Sequence, residues 1–419
     1  MSEKRSAPSR QPFRIGMLLY DTRYRSLTIQ VIALMGFMLL VAWLISNTIQ
    51  NLNSLGKDVS FDFLRQPSSY DINQHLLEYD SRSSHLRASM VGLLNTLLVA
   101  VLGCTLATVV GVLIGVLRLS RNWIVARLMT IYIEGFRNVP VLLWIVFFMA
   151  ILIETLPRPR DFRGDDATAS MLLGDSVALT NRGVYVPEPL FSNSLGDVPI
   201  LGWFSISLDL ITLLIVLFVG ITGAGMIRRR AERRQAETGV RPVTWPIRLG
   251  LIAIPPLVLL YLLGFHLGFP ELKGFNFSGG IYMRNSMIAL WLALSFYTAA
   301  FIAENVRAGI MAVSKGQTEA AYSLGLRPGI TMSLVVLPQA LRIIIPPLIS
   351  QYLNLTKNSS LAIAVGYMDV TGTLGGITLN QTGRELETIL LLMLCYLAIS
   401  LSVSAILNWY NNRVKLKER

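Results

Sequence analysis

Charge is scarce in this sequence. Of 419 residues only 15% are Asp, Glu, Lys or Arg, where a soluble chain carries roughly 25%. Hydrophobic residues make up 53%, and apolar runs near the roughly 20 residues needed to cross a hydrocarbon core recur along the chain. A polytopic membrane protein is expected, and a water-soluble enzyme is excluded. Cysteine is nearly absent: Cys104 and Cys395 both fall inside apolar runs, so no disulfide framework is expected. The three histidines, His75, His85 and His266, form no plausible metal or triad cluster. There is no G-x-x-x-x-G-K-[ST] sequence, so a P-loop of that form is missing. No catalytic constellation emerges, and neither a cofactor nor a metal is expected on this chain. A cleavable signal peptide is not evident either. The first 26 residues carry six Lys or Arg, and Leu27 begins a run too long for a signal core, so it reads as a retained first span.

Positive charge is present in excess, with a net +12. It does not form one face with interleaved aromatics, as nucleic-acid binding would need. It clusters beside the ends of apolar spans, as cytoplasmic loops do under the positive-inside rule. Eight spans are read: about 27–48, 89–117, 123–156, 206–226, 246–265, 285–310, 340–365 and 386–410. The third is expected to bend around "EGFRNVP" (134–140), because Pro140 breaks helical hydrogen bonding. With both termini in the cytoplasm, the basic clusters at 4–25, 118–121, 228–248 and 413–419 all fall inside. Segments 49–88 and 157–205 then fall outside, carrying four basic against five acidic residues and four against six. The run "RRRAERR" (228–234) is read as a topology signal that touches anionic lipid. "PRPRDFRGDDATASMLLGD" (157–175) fits disorder or a small docking surface equally well. The expected division is 1–88 (basic terminus, first span, outer segment), 89–156 (first part of a core), 157–283 (insertion with a hairpin), 284–410 (second part) and 411–419 (basic tail).

Between spans six and seven lies "EAAYSLGLRPGITMSLVVLP", Glu319–Pro338. Ser314 and Gln317 have capping-box spacing, Ala320, Ala321 and Leu324 favour a short helix, and Gly325 suits its left-handed end. Pro328-Gly329 is a turn signal. Thr331–Leu337 can restart a helix, which Pro338 disturbs. An ordinary amphipathic loop would share much of this pattern. The spacing of Glu319, Ala320, Ala321, Gly325, Val335, Leu337 and Pro338 nevertheless resembles the EAA loop of ABC importer permeases, with Val335 where Ile is commoner. "GLLNTLLVAVLG", "GVLIGVLRLSRN", "YIEGFRNVPVLLW", "FYTAAFIAENVRAGI", "KGQTEAAYSLGL", "LPQALRIIIPP" and "NLTKNSSLA" resemble the core of that family's polar amino acid branch. Asn138, Val139 and Ala308 depart from its commoner residues. The extra first span and the insertion with "NRGVYVPEP" are similar to the larger permease of general L-amino-acid importers.

The resemblance implies an all-α membrane bundle of about eight helices, five in an importer-permease core and three added. It implies a translocation subunit of an ATP-driven importer of L-amino acids in a bacterial inner membrane, coupled through 315–338 to a separate ATPase. The partners implied are a cytoplasmic ATP-binding subunit dimer, which binds ATP and Mg, a second permease (a paralogue or a copy) and a periplasmic amino-acid-binding protein. An ion-coupled secondary transporter is the alternative; it would show paired broken spans in two halves, and only span seven carries a clear polar interruption.

Charged residues within spans are candidate functional groups because burying them in lipid is costly. Glu304 can accept an ammonium group. Lys357, Asn358 and Ser359 can help hold a carboxylate, since a polar run inside a span is expected only where it faces protein or water. Tyr297, Thr298, Asn95 and Thr96 can line the same path. Equally, Glu304 can simply pair with Arg307 at i,i+3, and Lys357 can snorkel to headgroups.

Overall fold

Thr22–Ser54 (α1) is the first long helix of the computed structural model, which describes residues 16, 20–54, 56, 58–164, 167–200 and 204–414. The basic stretch 4–15 and the end of the tail, 415–419, lie outside the described residues. Contacts divide the chain into two units, the first ending at Asp62. In that first unit α1 is apolar on every side, with Leu34, Phe37, Leu40 and Trp43 all more than half exposed. A helix apolar all round belongs in lipid or in a protein interior.

The second unit begins its bundle with His85–Leu117 (α2), N-capped by the Ser84 hydroxyl. Trp123–Asn138 (α3) follows, capped by Asn122 through Ile124 and Val125. The chain then breaks where Pro140 was expected to bend it. Val139 is extended (φ −107°, ψ 134°), because a residue before proline is pushed out of the helical region. Val141–Thr155 (α4) resumes with Pro140 as its N-cap. Phe136 and Trp144 stack across the break at 4.1 Å between ring centroids.

The insertion is not disordered where it is described. It forms β1 (Ala178–Thr180), β2 (Gly183–Val186), β3 (Glu188–Phe191), β4 (Asp197–Ile200) and β5 (Phe204–Ser207). The helices α5 (Leu208–Thr238) and α6 (Trp245–Leu262) come next, followed by β6 (Phe265–Gly268), β7 (Glu271–Lys273), β8 (Asn276–Ser278) and β9 (Ile281–Arg284). All pairings are antiparallel: β1–β2–β9, β3–β6, β4–β5 and β7–β8. These strands of three or four residues are too short to announce themselves by alternation. Two of their pairings, β2–β9 and β3–β6, bracket the α5–α6 hairpin in sequence. The all-helical expectation therefore holds for the bundle and needs this small sheet region added. Helix α5 also runs through "RRRAERR" to a left-handed cap at Gly239 (φ +73°), with Arg228 and Glu232 paired at 2.8 Å.

Asn285–Met311 (α7) is the axis of the bundle; much of it is buried, including Ala289, Ala293, Ala299, Ala300 and Ala303 at 0% exposure. It packs on α2 because small residues recur there every fourth position: Gly103, Ala107, Gly111 and Gly115. A Cβ on Gly111 would meet Ile302 Cβ at 2.7 Å and the Ala299 oxygen at 2.9 Å. One on Gly115 would meet the Ala303 oxygen at 2.7 Å. In a membrane such small residues permit the close backbone approach that drives helix pairing.

Lys315–Ser323 (α8) and Pro328–Thr331 (α9) form the connecting segment, and one wide turn (Met332–Val336) joins α9 to Leu337–Asn358 (α10). After α10 the chain tightens into a 3₁₀ stretch, Ser359–Val365, and leaves it at Gly366 (φ +68°). A second stretch of wide turns, Thr371–Thr378, leads into Leu379–Thr382 (α11) and then Glu385–Val414 (α12). Eight helical segments among the described residues are long and apolar enough to cross a membrane. The chain is a multi-pass membrane protein.

Candidate functional site

The segment between α7 and α10 is the helix, turn and second helix read from its sequence. α8 ends as expected: Gly325 sits at φ +76°, its N–H bonding the Tyr322 oxygen at 2.9 Å, and Leu326 N–H bonds the Ala321 oxygen at 3.2 Å. That left-handed geometry favours glycine. The start differs from the expected capping box. Ser314 makes no side-chain cap; Gln317 N–H bonds the Ser314 backbone oxygen at 3.1 Å instead. Pro328 opens α9, and Pro338 lies in the first turn of α10. Because Pro338 offers no N–H, the helix relaxes ahead of it into the wide turn, where Leu337 N–H reaches back to the Met332 oxygen.

Ala321 faces inward at 4% exposure, whereas Leu324 is 81% and Tyr322 48% exposed. Glu319, Ala320 and Gly325 lie on the exposed surface; Val335 and Pro338 are half-buried, and Leu337 is 42% exposed. Glu319 forms no ion pair among the described residues. Leu324 and Tyr322 thus stand exposed on the same short segment as Glu319.

The residues expected along a substrate path divide between places. Glu304 lies toward the α8 end of α7, where Arg307 donates to it at 2.6 Å and Arg118, at the end of α2, also pairs with it. Its carboxylate is already matched by two guanidiniums, of which only Arg307 was foreseen. Tyr297 packs against Phe301 at 5.1 Å, and the Arg137 guanidinium lies 5.4 Å from the Phe301 ring centre. Thr298 is buried at 3% exposure. Lys357 is exposed, Asn358 half-buried and Ser359 fully buried, the last donating to the Thr356 oxygen at 2.8 Å. The polar run "NLTKNSS" marks the point where regular helix gives way to 3₁₀.

Asn95 and Thr96 belong to a second cluster at the other end of the bundle. Asn95 donates from Nδ2 to the Gln74 and Met368 oxygens, both at 2.8 Å, and Thr96 Oγ1 accepts from Val370 N–H at 3.1 Å. Tyr367 donates to the Asn95 backbone oxygen at 3.2 Å. The centre of this cluster is Asp369, missed in the sequence. It is fully buried, accepting from Gly372 N–H at 2.8 Å and Tyr396 OH at 3.1 Å. A lone acid just after a left-handed glycine, between apolar neighbours, was the signal that could have found it. No group of His, Cys, Asp and Glu among the described residues has the geometry to hold a metal.

Residues 240–416 match the family model described as "Binding-protein-dependent transport system inner membrane component". The chain is 56% identical to the glutamate/glutamine/aspartate/asparagine transport system permease protein BztB of Rhodobacter capsulatus, over 99% of each chain. It is 43% identical to the general L-amino acid transport system permease protein AapQ of Rhizobium johnstonii, over 96% of this chain and 95% of that one. It is 45% identical to the putative amino-acid ABC transporter permease protein YhdX of Escherichia coli, over 94% and 95%. A crystal structure of an amino acid ABC transporter with histidines aligns with 78% of this chain at 18% identity and a TM-score of 0.43. On the strength of the full-length sequence relatives, this chain belongs to the family of binding-protein-dependent inner membrane components, as an amino acid ABC transporter permease.

Proposed function

We propose that this chain is the translocation subunit of an ATP-driven importer of L-amino acids in a bacterial inner membrane, with both termini in the cytoplasm. The segment 315–338 docks a cytoplasmic ATPase dimer, where ATP and Mg bind. A second permease completes the path, and a periplasmic binding protein delivers substrate. The observation that carries this reading is the α8 surface. It presents Leu324 and Tyr322 outward, while Ala321 anchors it from below and α9 continues through the wide turn into the spanning helix α10. A push on α8 therefore has a short covalent route to a span.

Along the path, Lys357 and Asn358 are available to substrate from α10, and Tyr297 and Thr298 line it from α7. Asn95, Thr96 and Ser359 frame it from within their hydrogen bonds, and Glu304 holds α2 to α7. Charged groups in a span are retained where they serve such a role.

The experiment is copurification of tagged chain in mild detergent, wild type against Glu319→Arg combined with Gly325→Trp, with ATP hydrolysis assayed in the eluate. The expected result is an ATPase and a second permease with wild type, and loss of the ATPase alone from the variant. A wild type that brings down no ATPase, yet moves amino acids on an ion gradient in vesicles, would overturn the reading in favour of a secondary transporter.

A further inference from the structure

Positive charge gathers at one end of the inserted hairpin. Between residues 228 and 248 stand seven arginines against two glutamates. Arg228 pairs with Glu232; among the described residues none of the other six arginines forms an ion pair. The stretch 208–227 of α5 rises about 30 Å, the depth of a hydrocarbon core. Arg228, Arg229 and Arg230 follow it immediately, which sets them at the level of lipid headgroups.

Helix α5 meets α6 along a seam of small residues. Gly220, Ala224 and Ala231 are buried. A Cβ on Gly220 would meet the Leu251 oxygen at 2.7 Å, and one on Gly223 the Leu251 side chain at 2.7 Å. By helical period, Arg229, Arg230 and Arg233 lie on the face turned away from that seam, in line with Val219 and Met226. Both apolar residues are more than half exposed, and the three arginines are exposed. One stripe of α5 is therefore apolar through the span and basic just beyond it. On antiparallel α6, a step of about 9 Å from Leu251 toward the basic end brings Trp245 level with Arg228. Trp245 and Leu249 are more than half exposed, and tryptophan at this depth is an interfacial anchor. Arg248, one turn from Leu251, is half-buried, and its Nε is a buried donor without a partner. Such a group calls for an acceptor.

We propose that the basic end of the α5–α6 hairpin is a binding site for an anionic phospholipid. Arg229, Arg230 and Arg233 hold the headgroup phosphate in charge-assisted hydrogen bonds, Arg248 adds a donor at the same depth, and the acyl chains lie along Val219 and Met226. An acidic protein surface would match the arginines alone. A phospholipid matches both the arginines and the exposed apolar stripe that runs into them. The site needs only the multi-pass fold, so it stands or falls apart from the importer reading.

The test uses the whole complex in uncharged detergent, titrated with phosphatidylglycerol or phosphatidylcholine carrying brominated acyl chains. Quenching of Trp245 emission is read as wild type minus Trp245→Phe. Half-quenching should need at least about fivefold less phosphatidylglycerol than phosphatidylcholine, since each basic residue near the surface favours anionic lipid by about that factor. Salt at about 1 M, where the screening length is about 3 Å, should remove most of the difference. Equal quenching by the two lipids, or a preference that salt leaves intact, overturns the site, and neither result depends on a variant folding. Arg229→Gln with Arg230→Gln and Arg233→Gln should weaken phosphatidylglycerol at least about fivefold. Arg121→Gln with Arg127→Gln, at the start of α3, should leave it unchanged. Equal loss from both sets means that net charge alone attracts the lipid, which overturns the site. So does a triple variant that keeps the lipid preference but loses a copurified protein, since the arginines then hold that protein. Elution volume and subunit composition check that each variant is assembled. A wild type that shows the lipid preference yet brings down no ATPase sinks the importer reading and leaves this site standing.

Discussion

Arg118, the residue that caps the C-terminal end of α2, forms an ion pair with Glu304 of α7. Because Arg307 holds the other carboxylate oxygen, one acid fixes two helices that otherwise meet through glycines and alanines. In a partly buried pair, removing one partner leaves the other charge unmatched away from bulk water.

Glu304→Gln should therefore destabilise the assembled protein by about 1–3 kcal/mol. In a thermal unfolding series with Arg118→Met and the double variant, the expected coupling is about 1 kcal/mol or more. Strict additivity would show that the pair does not hold the helices together.

Gly111→Ala places a Cβ where Ile302 and the Ala299 oxygen already lie, at 2.7 and 2.9 Å. The α2–α7 contact must open, at a cost of about 1–3 kcal/mol. Gly135→Ala, in α3 with nothing within 4 Å, should be neutral or gain up to about 1 kcal/mol from helix propensity. Heat inactivation of the two purified variants, compared with wild type, checks the contrast.

Asp369→Ala strips the acceptor from Gly372 N–H and Tyr396 OH, both inside the bundle. A loss of about 1–3 kcal/mol is expected. Asp369→Asn keeps an oxygen for Gly372 and should lose much less. Equal damage from both, measured by unfolding midpoint, would mean the negative charge itself is needed.

A graded series at Gly325 tests the left-handed turn. Asparagine tolerates φ near +76°, alanine pays about 1–2 kcal/mol there, and valine pays more because it is branched at Cβ. Recovery of copurified ATPase should fall in the order Gly, Asn, Ala, Val. Limited proteolysis between residues 315 and 338 should rise in the same order.

Much of the spanning architecture was legible because apolar length is a one-dimensional property. The break at Val139-Pro140 and the turn at Gly325 were legible because proline and glycine act locally on φ and ψ. The expected box at Ser314 and Gln317 did not form, since spacing permits a side-chain cap without requiring it. The strands of the insertion were not legible; Gly183–Val186 finds Ile281–Arg284 across a hundred residues, and strands so short have no periodicity of their own. The Arg118–Glu304 pair was equally hidden, because i,i+3 spacing points to Arg307 and says nothing of a different helix.

The sequence by itself determined that this chain enters a membrane, where its helices begin and break, and, through the ordered motifs around Glu319–Pro338, which family it joins. Those properties depend on hydropathy and backbone chemistry within some twenty consecutive residues. Only the tertiary structure decided which polar groups are already satisfied. It matched Glu304 with two arginines and enclosed Asp369 between Gly372 and Tyr396. Whether a charge is spent on the fold or left for a ligand depends on what stands within hydrogen-bond reach of it. That is set by packing between segments far apart in the chain.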